Sequence, residues 1–171
     1  IYDYCVDMVE TGKISYAESK YFAYNTNNIP LAIVIYYVFR MAAFTGMDYR
    51  IAAGLFNVLL ILVMYVSAFL ILKKVTTIRT TAVYMALLLT NPSFYAYASS
   101  YYTDTISAGL VMAGVGFIIY GCYKKKNHWK MIHFLVAGFL IGFATCIRVT
   151  SIFIVLAAGV WILLNKYWKK L

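Results

Sequence analysis

Acidic residues are scarce in this chain and missing from most of it. Six Asp and Glu stand against fifteen Lys and Arg, and after Asp48 the only carboxylate is Asp104. Two prolines in 171 residues leave long stretches free to run as uninterrupted helix. Three cysteines, Cys5, Cys122 and Cys146, are odd in number and widely spaced, which argues against a disulfide framework and leaves them as small apolar residues. The two histidines, His128 and His133, sit at the end of a basic loop and read as interfacial side chains rather than metal ligands. No signal peptide opens the sequence, no methionine starts it and no apolar run lies ahead of residue 30, so the chain reads as a fragment of a longer polypeptide.

What is present is apolar. The chain is 64% hydrophobic and 12% charged, with a mean hydropathy of +0.78. A soluble domain of this length has no means of covering so much apolar surface, so lipid must be part of its solvent. The net charge of +9 raises the question of nucleic acid, but the cations are placed otherwise. Lys73, Lys74 and Arg79 form one cluster, Lys124, Lys125, Lys126 and Lys130 a second, and Lys166, Lys169 and Lys170 a third. Each falls between or after apolar runs, as positive-inside loops do, and no nucleic-acid partner is expected.

Residues 1–11 read as a short amphipathic helix closed by Gly12, with Asp3, Asp7 and Glu10 on one face. A tyrosine-rich polar stretch follows, and Asn25, Asn27 and Asn28 mark a loop before Pro30. Residues 30–46 are apolar but short and interrupted by Arg40, which suits an interfacial or re-entrant helix better than a span. Five stronger candidates come next: 51–72, 80–97, 104–123, 131–147 and 149–164. If the residues before Ile51 lie outside, the crossings put all three basic clusters on the cytoplasmic side and all six acids on the outer side. The expected fold is therefore all-α: a polytopic integral membrane helix bundle over 51–171, with 1–50 an outward-facing juxtamembrane helical loop. Gly138 and Gly142 form a GxxxG, and Gly109, Ala113 and Gly116 a similar flat stripe, which predicts that 104–123 and 131–147 pack closely.

A carboxylate at the mouth of a membrane helix is costly to keep, which makes Asp104 a functional candidate. In this topology it converges at the outer surface with the acidic helix 1–11 and with Arg148, at the turn between two short spans. Arg148 either snorkels to lipid head groups or holds a lipid-linked phosphate by bidentate hydrogen bonds. Carboxylates beside such a cation suit glycosyl transfer from a polyprenyl-phosphate sugar. One carboxylate takes the acceptor's proton while the cation stabilises the departing phosphate.

At these residues the chain resembles a family. The run Met8-Val-Glu-Thr-Gly12, then Tyr24-Asn-Thr-Asn-Asn28-Ile-Pro30-Leu31, then an apolar helix ending Phe44-Thr45-Gly46, resembles the first outer loop of GT-C glycosyltransferases. Within these it is similar to the bacterial protein-mannosyltransferase-like and aminoarabinose-transferase-like branch. Asn91-Pro92, Tyr102-Thr103-Asp104-Thr105 and the Gly138-to-Arg148 segment are similar to the family's next spans. The resemblance implies an Arg-bearing span, here through Arg50. It assigns Asp104 to orienting the acceptor or supporting the catalytic loop, and Arg148 to the carrier phosphate, with Tyr102 and Asn28 in the substrate region. Two departures stand out. The family's principal catalytic aspartate would lie just before Ile1, so Asp3 is the available substitute, though displaced from that register. The lysine that often precedes the family's Pro-Pro pair is replaced by Asn28.

The resemblance thus implies a transferase in the bacterial cytoplasmic membrane, active face outward. Its partners are a polyprenyl-phosphate sugar donor, membrane lipid, and an outward-facing acceptor that is a glycan, lipid or protein. A divalent metal is open as a cofactor and not required by the sequence. A different class remains beside it: a transporter or flippase for a lipid-linked substrate, with Asp104 as a proton or ion site and Arg148 as substrate anchor. A third reading makes Asp104 and Arg148 an ion pair that holds spans together.

Overall fold

The computed structural model describes residues 1–13, 20–98 and 103–168, and among these every regular element is helical. The elements are α1 (Tyr2–Thr11), α2 (Lys20–Tyr24), α3 (Ile29–Thr45), α4 (Tyr49–Val75), α5 (Ile78–Leu89), α6 (Pro92–Ala98), α7 (Thr103–Cys122), α8 (Asn127–Ile147) and α9 (Ile152–Trp168). Short 3-10 turns at Thr26–Asn28 and Val149–Ser151 precede α3 and α9.

Three of these, α4, α7 and α8, are long and apolar enough to cross a membrane. At 1.5 Å per residue they reach about 40, 30 and 31 Å, against a hydrocarbon core of about 30 Å. Much of their apolar surface faces outward: Leu55, Val58, Leu59 and Leu62 on α4 and Leu135 and Phe139 on α8 are all more than half exposed. Surface of that kind on a folded chain calls for lipid or a partner against it.

Local chemistry fixes where the helices begin and end. The α3–α4 corner is the clearest case. Gly46 takes a left-handed backbone (φ 69°) that only glycine adopts at little cost, and Met47 N–H closes on the Ala42 carbonyl at 2.9 Å. Two residues on, Asp48 caps α4, its Oδ1 accepting from the backbone N–H of Arg50 at 2.8 Å and of Ile51 at 3.2 Å. Lys73 and Lys74 then lie in the last turn of α4, where the helix dipole favours cations. Gly12 ends α1 in the same left-handed conformation, with φ 69°.

The run 80–97, read from sequence as one span, is two helices. Pro92 has no N–H to give and its ring would collide with the Leu88 carbonyl, so α5 stops at Leu89. Asn91 Oδ1 then accepts the Ser93 N–H at 3.0 Å to start α6, and the Tyr95 hydroxyl donates back to the orphaned Leu89 carbonyl at 2.6 Å.

Inter-helix contacts set the directions. Gly109 abuts Leu60 and Gly116 faces Ile71, while the Tyr120 hydroxyl donates to the Leu70 carbonyl at 3.3 Å and Lys74 Nζ lies 4.4 Å from the Tyr123 ring. The numbers rise together, so α4 and α7 run parallel. Gly114 meets Ile141 and Gly121 meets His133, so α8 returns antiparallel. One end of the bundle therefore carries the starts of α4 and α7 and the close of α8, and the other carries Lys73, Lys74 and the Lys124–Lys126 loop.

Close packing of α7 with α8 does not use the GxxxG. A Cβ at Gly138 or Gly142 would meet nothing within 4 Å, so neither is a point of close approach to α7. The small residues that admit α8 are Gly114 and Gly121, both on α7, and Gly109 instead admits α4. Two glycines four apart mark a flat face, and which neighbour it meets depends on helix rotation, which the spacing does not encode.

Candidate functional site

The Asp104 end is roofed by α1–α3. Cys5, Met8, Phe22, Leu31, Ile35 and Phe39 form a buried cluster that continues into the bundle through Ala53 and Leu60 of α4, Ile106 of α7 and Ile147 of α8. Phe39, fully buried, is the joint between layers. Tyr2 of α1 meets it edge-on at 5.3 Å between ring centroids, and Tyr49 of α4 stacks on it at 5.1 Å. The Cys5 thiol donates to the Ala32 carbonyl at 3.4 Å, and burial pushes its pKa from an ordinary 9.0 to about 11.

Beside this roof, α7 starts and α8 stops. Asp104 lies in the first turn of α7, where exposed helix N–H groups favour an anion. Arg148 follows α8 with an extended backbone (φ −142°, ψ 109°), which turns its side chain out of the helix direction. The two meet: Arg148 Nε lies 2.7 Å from Asp104 Oδ1. Arg148 also donates from Nη1 to Thr103 Oγ1 at 3.2 Å and from Nε to Thr150 Oγ1 at 3.3 Å. The guanidinium is thus held at the start of α7 and at the turn into α9 together. Its side chain is 41% exposed and that of Asp104 55%. Among the described residues, neither Arg148 Nη2 nor Asp104 Oδ2 has a partner, so each group keeps a free polar edge toward the surface.

The contacts that hold this pair, to each other and to Thr103 and Thr150, involve none of the remaining sequence candidates. Asn28 Nδ2 donates to the Tyr21 hydroxyl at 2.8 Å, and its 3-10 turn packs on α8, the helix that ends at Arg148. Arg50 is exposed near the start of α4 with its guanidinium 5.8 Å above the Tyr2 ring, a cation–π contact that ties α4 to α1. Asp3 is exposed on α1, and the structure joins it to neither Asp104 nor Arg148. Tyr102 lies outside the described residues. Two partners of the site were not among the sequence candidates: Thr103 and Thr150, whose hydroxyls fix the guanidinium. Their adjacency to Asp104 and Arg148 in sequence was the available signal.

No group of three or more His, Cys, Asp or Glu that could hold a metal ion occurs among the described residues. Chemically the site offers a carboxylate and a guanidinium, mutually paired, with Oδ2 and Nη2 unpartnered among the described residues. No family model, no curated protein and no solved structure matches this chain.

Proposed function

We propose that this chain belongs to a membrane-embedded glycosyltransferase that moves a sugar from a polyprenyl-phosphate donor to an acceptor outside the cytoplasmic membrane. In this reading five crossings by α4, α5–α6, α7, α8 and α9 put the lysine end in the cytoplasm and the Asp104 end outside, with α1–α3 as its juxtamembrane roof. The observation that carries the proposal is the Asp104–Arg148 pair, half-exposed at the mouth of an apolar bundle, with Nη2 and Oδ2 unpartnered among the described residues. Nη2 donates an N–H to an oxygen of the carrier phosphate. Oδ2 accepts a hydrogen bond from the acceptor hydroxyl and orients it. The hydroxyl oxygen attacks the anomeric carbon, its proton passes to a carboxylate, and the sugar–phosphate C–O bond breaks with its electron pair leaving on the lipid phosphate. Arg148 stabilises the charge that develops there.

The same 2.7 Å contact favours a second reading, in which the pair is a clasp between α7 and the α8–α9 turn and does no chemistry. The two separate in a variant series on the full-length protein. For a working site, Asp104→Asn and Arg148→Ala keep normal protein levels yet each lowers sugar transfer by roughly a hundredfold or more. For a clasp, both variants lower folded protein, and Asp104→Arg combined with Arg148→Asp restores it. Transfer that survives both single variants removes the site from the reaction. Flipping of a lipid-linked sugar without transfer would make the protein a transporter.

A further inference from the structure

The lysine end holds a second juxtaposition of charge and apolar surface. A cleft of about 260 Å³ opens over α7, floored by Ala113, Gly116 and Tyr120 and walled by Ser67 and Leu70 of α4 and His133 of α8. From Ala113 to Tyr120 it follows the helix for about 10 Å, so its long axis lies along the direction in which α7 would cross a bilayer. Gly116 keeps the floor low, and the nearest atom a Cβ there would meet, on Ile71, is 3.8 Å away.

One rim of the cleft is polar. The Tyr120 hydroxyl is engaged by the Leu70 carbonyl at 3.3 Å. His133 Nδ1 lies 2.7 Å from the Trp129 carbonyl, and its ring meets Phe117 edge-on at 5.7 Å. One turn beyond Leu70 comes Lys74, and one turn before His133 comes Lys130, both exposed. Lys124, Lys125 and Lys126 add three exposed cations in the adjoining loop. Nothing in these helices offsets them, since the sequence has no Asp or Glu from Tyr49 to Thr103 or after Asp104. An apolar slot along α7, with Lys74 (its Nζ 4.4 Å from the Tyr123 ring) and Lys130 one turn beyond its lining and no carboxylate at this end of the helices to offset them, matches a phospholipid with one chain in the slot and its phosphate reaching past the rim.

We propose that this cleft is a binding site for an anionic phospholipid, one acyl chain lying over Gly116 and the phosphate held by Lys74 and Lys130. The charge decides the occupant. A zwitterionic lipid would fill the slot equally well but gain little from the lysines. The site is independent of the Asp104–Arg148 chemistry.

The test is native mass spectrometry of the delipidated full-length protein titrated with phosphatidylglycerol or phosphatidylcholine. Wild type should retain one phosphatidylglycerol at a lipid concentration about tenfold to thirtyfold below that for phosphatidylcholine, as two lysines holding the phosphate require. Lys74→Gln with Lys130→Gln, both exposed and one turn beyond the lining, should erase that preference. Gly116→Leu should weaken retention of both lipids. Equal retention of the two lipids by wild type would overturn the proposal, as would a preference that survives loss of both lysines. Displacement by glycerol phosphate at the same concentration would show a phosphate site without the acyl slot and overturn it too. A retained second copy of the chain in place of lipid would do the same.

Discussion

Asp48 and Asp104 are both carboxylates at the start of a long apolar helix, one capping it and one in its first turn, yet they are used differently. Asp48 Oδ1 is taken up by two backbone N–H groups of α4, so its role ends with the helix it caps. Asp104 Oδ1 instead reaches across to Arg148, a partner on another element. That difference is why one reads as structure and the other as a site, although the sequence presents both simply as acids on the same side. The thiols separate in the same manner. Cys122 and Cys146 are exposed and Cys5 is buried. With its pKa raised from 9.0 to about 11, Cys5 at pH 8 holds about a hundredth of the thiolate of an ordinary thiol. Maleimide should therefore modify Cys122 and Cys146 first and Cys5 at least about a hundredfold more slowly, read by mass spectrometry of peptides. Comparable rates at all three would contradict the packing of α1 on α3. The sign of the linkage also follows. Because the folded state keeps the Cys5 proton longer, its stabilising effect is complete below about pH 9 and is lost as pH rises toward 11. Cys5→Ala should abolish that component of the alkaline loss of stability.

Glycine substitution distinguishes the real helix contacts from the apparent ones. A Cβ at Gly109 would stand 2.7 Å from the Leu60 carbonyl oxygen, a backbone atom that moves only if α4 and α7 separate. Gly109→Ala should cost about 1–3 kcal/mol in unfolding measurements in detergent or lipid. Gly138→Ala meets open space and should be neutral or stabilising by up to about 1 kcal/mol. The reverse order would mean that the GxxxG, not Gly109, seats a neighbouring helix. This contrast also marks what sequence could deliver at this scale. Helical class, the long apolar helices and the stop at Gly12 follow from hydropathy and backbone preference, both of which are local. The choice of Gly114 and Gly121 over Gly138 and Gly142 depends on the rotation of α8 against α7. The break at Pro92 was written in the sequence, but hydropathy runs straight across Asn91-Pro92 and conceals it. The candidate site was legible as Asp104 and Arg148. Its two threonine anchors were marked only by lying beside those charges, because which hydroxyl meets the guanidinium depends on how the start of α7 and the turn at Val149–Ser151 come together.

Across the whole molecule, charge and shape divide into two ends. Lys73, Lys74 and the Lys124–Lys126 loop share one, and Asp104, Arg148 and the α1–α3 roof share the other. Cys122 and Cys146 stand at opposite ends of the antiparallel pair α7 and α8, so the native thiols report the orientation. In sealed right-side-out vesicles an impermeant maleimide should label Cys146 and spare Cys122. Labelling of Cys122 alone would invert the proposed topology and put the ion pair in the cytoplasm. The proposed sugar transfer at the outward end is read by reconstituting the full-length protein and following label from a polyprenyl-phosphate sugar to an acceptor outside the vesicle. Wild type should transfer the label, and Asp104→Asn at equal protein level should transfer roughly a hundredfold less. No transfer from any such donor, or undiminished transfer by Asp104→Asn, would contradict the proposal.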